Sequence, residues 1–136
     1  MSLRTYSHLY SKGAPGSGIP AAMIFKVDVV HPDPNDGRRV TKEALIDTGA
    51  DACVIPRTIR NDWNLTKADD ATFLDWLNRP TTEPTYNVRI EIPGLFSDIL
   101  EVTVVDGDEI LLGRDALNEI RLVADGKGQW FALQHI

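Results

Sequence analysis

The sequence predicts a small all-β domain with one short helix near its carboxyl end. Two observations lead to this prediction. Segments rich in β-branched and aromatic residues alternate with turns built from Gly, Pro, Asn and Asp. Helical spacing of apolar residues occurs near the carboxyl end, where Ala116, Leu117 and Ile120 are spaced for one buried face. We therefore expect a core formed mainly by strands.

Composition and charge limit the class of protein. With 43% hydrophobic and 25% charged residues, the 136-residue chain is typical of one soluble globular domain. A formal net charge of -6 argues against nucleic-acid binding, which depends on clustered Lys and Arg. The single cysteine, Cys53, has no disulfide partner, and no apolar run is long enough to span a bilayer. The first ten residues do not read as a secretory signal. We therefore expect a cytoplasmic protein without a membrane or nucleic-acid partner.

The amino-terminal half begins with an arm and a hairpin. Residues 1–20 are predicted to be a flexible arm, because residues 11–20 are rich in Gly, Pro and Ser, and residues 21–136 are predicted to form the folded domain. The segments AMIFKVDVV and VTKEALID are predicted to pair as a hairpin, since the intervening HPDPNDGRR contains two prolines and an Asp-Gly turn. The second strand brings Asp47 to its end, and TGAD follows as a loop.

The remaining elements follow in short segments. ACVIP is predicted to be a short strand, and RTIRNDWNLTK to contain a helical turn. ATFLDWL and TYNVRIEI are predicted to be the arms of a hairpin over residues 71–92, with NRPTTEP as its exposed tip. DILEVTVV and ILLG are further strands, Asp115 is predicted to cap the short helix, and WFALQHI forms the last strand.

Two segments of the sequence carry recognisable motifs: ALIDTGADACVIP has Asp-Thr-Gly-Ala between apolar residues, and ILLGRDAL follows after a predicted hairpin. In this order they resemble the motifs of the retropepsins, the retroviral-type aspartic proteases, and of their cellular and bacterial relatives. The resemblance covers about residues 21–136. It implies a small closed β-barrel with a flap, a hairpin that closes over the substrate. It also implies a twofold homodimer that hydrolyses an extended peptide or protein substrate without a metal or other cofactor.

The chemistry of aspartic proteases explains why an acidic residue lies in an apolar segment. These enzymes use two facing carboxylates that share one proton. One carboxylate acts as general base on a water, while the other donates a proton to the carbonyl oxygen of the bond to be cut. The chain contains one Asp-Thr-Gly, at Asp47. The resemblance therefore implies that Asp47 of a second copy, related by a twofold axis, supplies the other carboxylate.

The resemblance also implies roles for the residues after the catalytic aspartate. Thr48 would hydrogen-bond across the dimer, the Gly49 amides would bond the carboxylates, and Asp51 would pair with Arg114. Ala50 occupies a position that is Ser in many two-lobed aspartic proteases. The missing hydroxyl removes a possible hydrogen bond to the charged pair, so the expected activity lies at weakly acidic rather than strongly acidic pH.

On the hairpin of residues 71–92, Trp76, Asn78 and Arg79 are candidate residues for covering the substrate. The predicted tip, NRPTTEP, lacks the multiple glycines that are typical of retroviral flaps. At the carboxyl end, the resemblance implies that WFALQHI pairs with strands of the partner subunit.

Three other interpretations of these residues remain open. The chain can be a peptide-binding or dimerisation module that keeps the fold without turnover, although the intact Asp-Thr-Gly argues against lost catalysis. A phosphoryl-transfer enzyme with Asp47 as nucleophile is the least favoured, since the chain lacks a phosphate-binding glycine pattern and an evident set of carboxylates for Mg²⁺. Asp47 can also be a simple turn residue after a strand.

Overall fold

A computed structural model describes residues 5–11, 18, 20–75 and 77–136. The strands in these residues are β1 (Thr5–Leu9), β2 (Ile24–Val30), β3 (Arg39–Ile46), β4 (Val54–Pro56), β5 (Lys67–Leu74), β6 (Pro80–Ile92), β7 (Phe96–Val105), β8 (Ile110–Leu112), β9 (Arg121–Asp125) and β10 (Trp130–Gln134). The helices are α1 (Arg57–Asp62) and α2 (Arg114–Leu117), and neither has the length and apolar character needed to cross a bilayer. The predicted all-β class is confirmed.

Six strands close into a barrel. They follow the order β2-β3-β8-β4-β7-β6, and β6 pairs back onto β2. This closing contact joins residues 28–30 of β2 to residues 89–91 of β6 in antiparallel register. Closure leaves these strands without the exposed edges of an open sheet. The small closed barrel implied by the resemblance is therefore confirmed.

Alternation along the strands fills the barrel with apolar side chains. The buried residues include Phe25, Val27 and Val29 in β2, Val88, Ile90 and Ile92 in β6, and Ile110 and Leu112 in β8. The second arm of the predicted hairpin, which lies in β6, thus alternates between buried and more exposed residues. The apolar strand β8 lies between β3 and β4, and its Ile110 and Leu112 side chains are fully buried.

A three-stranded sheet in the order β1-β10-β9 brings the two ends of the described chain together. The prediction of a flexible arm over residues 1–20 is wrong for residues 5–9, because they form β1 and pair with β10. Aromatic packing explains the difference. The His8 ring stacks on Phe131 with 5.1 Å between ring centroids, and the Tyr10 ring lies 6.0 Å from the same side chain. Residues 1–4, 12–17 and 19, within the predicted arm, lie outside the described residues.

The last strand has no free edge in this fold. β10 lies between β1 and β9 of its own chain, so the expectation that WFALQHI pairs with a partner subunit is wrong. Its Phe131 and Leu133 side chains are fully buried in the core. β10 is therefore a core element of the single chain.

The hairpin formed by β5 and β6 extends beyond the barrel and is longer than predicted. Its tip comprises residues 75–79, so the prediction of a tip at residues 78–84 is wrong. Pro80 and Pro84 indicated a turn, but both lie inside β6. Proline is tolerated there because this part of β6 pairs only with β5, and a strand with one free edge does not need every N–H for pairing.

Candidate active site

Asp47 directly follows β3, at the surface of the barrel. Its side chain is half-buried, whereas Thr48 and Gly49 after it are exposed. The Asp47 backbone N–H donates to the carbonyl oxygen of Leu112 in β8, with 3.1 Å between nitrogen and oxygen. This bond fixes the start of the loop of residues 47–53, which we call the Asp47 loop. Asp47 therefore lies where β3 ends and the loop begins, as the sequence predicted.

Gly49 lies against the carboxylate of Asp47. The Gly49 N–H donates to Asp47 Oδ1 at 2.9 Å. A Cβ atom at Gly49 would lie only 3.2 Å from the same oxygen. A glycine at this position thus lets the backbone amide approach the carboxylate closely.

Residues 112–116, from the second motif, support the Asp47 loop. The Arg114 N–H donates to the carbonyl oxygen of Ala50 at 2.9 Å. The Arg114 guanidinium also forms an ion pair with Asp51, the pairing that the resemblance implied. Because both side chains are largely exposed, this pair contributes at most about 1 kcal/mol to stability.

Gly113 allows the two motifs to touch. A Cβ atom on Gly113 would lie 2.6 Å from both the carbonyl carbon and the carbonyl oxygen of Ala52. The Gly113 backbone angles, φ -93° and ψ -175°, are open to any residue. The close approach of the Ala52 backbone is therefore the reason for glycine here.

A contact between Cys53 and Asp115 lies beside this close approach, and sequence reasoning missed it. Asp115 was predicted to cap α2, but this is wrong, since Gly113 occupies the cap position and no side chain bonds there. Asp115 Oδ2 accepts a hydrogen bond from the Cys53 N–H at 3.1 Å, and Oδ1 accepts one from the Cys53 thiol at 2.9 Å. The Gly113 N–H donates to Cys53 Sγ at 3.3 Å. Cys53 is fully buried, so these bonds replace solvent.

Cys53 is expected to make the stability of the protein fall at alkaline pH. Burial, followed by the hydrogen bond to Asp115, raises the pKa of the Cys53 thiol well above its usual value of 9.0. Above about pH 9 the unfolded chain releases this proton and the folded chain keeps it, so the free energy of unfolding decreases as pH rises. The decrease approaches about 1.4 kcal/mol per pH unit.

Urea unfolding of wild type and Cys53→Ser between pH 7.5 and 10.5 measures this effect. The Ser hydroxyl keeps a donor for Asp115 but does not titrate in this range. The variant should therefore show a smaller decrease than wild type, because the two proteins differ only at residue 53. Equal pH dependence in the two proteins would contradict the prediction.

An open groove of about 900 Å³ lies between the Asp47 loop and the β5–β6 hairpin. Its lining includes Asp47 from the loop, Arg57 at the start of α1, Phe73 and Glu83 from the hairpin, and Asp106 after β7. This volume is in the range of ligand-binding clefts. Sequence reasoning missed Phe73 and Glu83 because it looked for the covering residues at the hairpin tip and not along its arms.

The tip of the hairpin is organised by Asp75. Its Oδ1 accepts hydrogen bonds from the N–H groups of Arg79 and Leu77, at 2.9 and 2.8 Å, which lower the pKa of the Asp75 carboxyl. Asn78 has a positive φ of 58°, a conformation more often taken by glycine. Asn78 and Arg79 thus belong to the tip but do not line the groove, and Trp76 lies outside the described residues. The tip therefore turns through Asp75 and Asn78, without a glycine.

Comparison with known proteins identifies the fold. No protein-family model and no curated protein matches the sequence. The chain is similar to the crystal structure of a retropepsin-like aspartic protease from Rickettsia conorii, with a TM-score of 0.56, 15% identity, and coverage of 98% of this chain and 94% of that one.

A second similar structure is the foamy viral protease-reverse transcriptase, solved in complex with an RNA/DNA hybrid. The TM-score is 0.50 and the identity 15%, and the match covers 70% of this chain but 12% of the viral one. These likenesses show that the chain has a retropepsin-like fold, which agrees with the resemblance of its two motifs.

Proposed function

We propose that this protein is a homodimeric aspartic endopeptidase, in which two Asp47 carboxylates, one from each subunit, activate a water for peptide hydrolysis. The observation that carries the proposal is the position of Asp47. It belongs to an Asp-Thr-Gly loop on a retropepsin-like fold, and its side chain lines an open groove. Hydrolysis by this route uses no metal or other cofactor.

The need for two carboxylates supports a dimer. Within the described residues, the only hydrogen bond to the Asp47 side chain comes from the Gly49 N–H. General acid–base catalysis of this kind requires a second carboxyl group close to the first. The exposed residues Thr48 and Gly49 leave the loop accessible to a second copy. A twofold axis beside the loop would bring the two Asp47 side chains together in one site.

In the proposed reaction, the two Asp47 carboxylates share one proton, so one is ionised and the other is protonated. The ionised Asp47 removes a proton from water as the oxygen attacks the peptide carbonyl carbon, and the protonated Asp47 donates to the carbonyl oxygen. The resulting tetrahedral diol collapses when the C–N bond breaks. The leaving nitrogen takes the proton that the first Asp47 removed from water, and the second Asp47 takes back a proton from a diol hydroxyl. No covalent bond to the enzyme forms. The Gly49 N–H holds one carboxylate oxygen in place throughout.

The groove suits an extended peptide, and the β5–β6 hairpin is proposed to act as the flap. Leu74 and Leu77 near the tip are 67% and 49% exposed, so this apolar surface is available to contact a substrate or a second hairpin. Asn78 and Arg79 remain candidates for contact from the tip. We also infer a cytoplasmic setting, supported by the single, buried cysteine.

The test of the proposal is cleavage of a mixed peptide library between pH 3 and 8, read by mass spectrometry. Wild type is expected to cut peptides, with an optimum at weakly acidic pH because Ala50 lacks the hydroxyl of its Ser counterparts. Asp47→Asn should cut none, while circular dichroism and sedimentation show it folded and dimeric. If folded, dimeric wild type cuts no peptide, the chain is instead a peptide-binding or dimerisation module.

A further inference from the structure

We infer that Glu83 determines substrate specificity, by selecting a peptide with a Lys or Arg side chain in the groove. The inference rests on the proposed function of the same groove and adds the class of substrate. Glu83 belongs to β6, and it lines the groove together with the Asp47 loop. It therefore lies where a bound peptide would contact it.

The register of the hairpin shows which residues share a face with Glu83. Glu83 pairs with Ala71, and Thr81 pairs with Phe73. Directly paired residues share a face of a sheet, and so do residues two apart in one strand. Glu83 thus shares a face of the hairpin with Phe73, and both residues line the groove. Glu83 is exposed, so its carboxylate is accessible to a bound peptide.

Glu83 differs from its neighbours in the groove by lacking a cationic partner among the described residues. Asp106 forms an ion pair with Arg57, with 3.0 Å between Asp106 Oδ1 and Arg57 Nε. Asp51 forms its ion pair with Arg114. No ion pair or hydrogen bond reaches the Glu83 side chain within the part of the chain that the structure describes. Its charge is free to interact with a ligand.

A peptide that covers this carboxylate must compensate its charge. Removing water from an ionised group is unfavourable unless a cation or hydrogen-bond donors replace the water. A Lys or Arg side chain supplies both, and an acidic or apolar side chain supplies neither. The groove is lined by four carboxylates and one guanidinium, so its net negative charge also attracts cationic peptides.

Twofold symmetry extends the inference to two substrate positions. Each subunit of the proposed dimer contributes one Glu83, on its own side of the bond to be cut. The library should therefore show selection of basic residues at one position before the cleaved bond and at one position after it.

The first experiment compares cleavage of a Lys-containing peptide with that of its norleucine counterpart, which keeps the length of the side chain without the charge. Wild type should prefer the Lys peptide by roughly fivefold in kcat/KM, the upper range for one partly exposed ion pair. Glu83→Gln should remove this preference, and Glu83→Lys should replace it with a preference for Glu. The matched control is Glu119→Gln, which removes the same charge from an exposed residue outside the groove.

A binding measurement separates failure of this inference from failure of the proposed function. Fluorescence anisotropy with labelled Lys and norleucine peptides is performed on Asp47→Asn protein, with and without Glu83→Gln. Tighter binding of the Lys peptide that depends on Glu83 supports the inference even if wild type cuts nothing. Cleavage without a preference for basic residues overturns the inference but leaves the proposed peptidase function standing. Equal binding of the two peptides also overturns the inference.

Discussion

Refolding wild-type chains together with a ninefold excess of Asp47→Asn chains is expected to reduce cleavage per wild-type chain to about one-tenth, because random pairing puts most wild-type chains in mixed dimers. In the proposed arrangement, a mixed dimer has one carboxylate and one amide at its centre. The amide can neither act as general base nor supply the shared proton, and loss of such a group lowers the rate by about 10²–10⁴. Mixed dimers should therefore contribute no measurable activity.

The matched control for this experiment is an excess of Asp98→Asn chains. Asp98 carries the same replacement on an exposed position of β7 that does not line the groove. These chains should form active mixed dimers, so total cleavage should rise with the amount added. Activity that stays constant per wild-type chain in the presence of excess Asp47→Asn would show that each chain carries a complete site.

Gly113→Ala is expected to destabilise the protein by about 3 kcal/mol, the upper end for overpacking of a core. The new methyl group would overlap the backbone of Ala52, at 2.6 Å from its carbonyl carbon and oxygen. A backbone cannot turn aside as a flexible side chain can, so the two motifs must separate. Separation strains the bonds from Gly113 to Cys53 and from Arg114 to Ala50, and cleavage should fall together with stability.

Chemical unfolding of Gly113→Ala beside Gly126→Ala measures this effect. A Cβ atom at Gly126 would meet no other atom within 4 Å, and its φ lies outside the left-handed range. That control should change the free energy of unfolding by no more than about 0.5 kcal/mol. An equally small change in Gly113→Ala would mean that the Ala52 backbone does not pack closely against Gly113.

The Asp47 loop and the strand before Gly113 could be predicted from the sequence because their signals are local. An apolar run that ends in Asp-Thr-Gly predicts a strand followed by a loop. ILLG predicts a strand because it is too short and too apolar for a surface helix. The tip of the hairpin was misplaced for a related reason. Proline usually marks a turn, but Pro80 and Pro84 lie in an arm whose second edge is free, which only the tertiary arrangement reveals.

Contacts between distant parts of the chain could not be predicted. Cys53 and Asp115 are 62 positions apart, and an Asp near a helix start is compatible with capping as well as with a bond to a remote thiol. The β1 strand was missed because the aromatic rings of His8 and Tyr10 gain stability only when Phe131 is beside them. The composition of residues 1–20 gives no sign of this contact, because Phe131 lies at the other end of the sequence.

The pairing of β1 with β10 has a consequence for biosynthesis. Leu9 lies opposite Trp130, so the three-stranded sheet needs residues from both ends of the described chain. On the ribosome, a nascent chain can form the early hairpins but must wait for residues 130–134 to leave the exit tunnel before this sheet can assemble. Contacts so far apart in sequence also slow folding. Until then Phe25 lacks the Phe131 ring that packs against it, and exposed apolar surface of this kind favours aggregation.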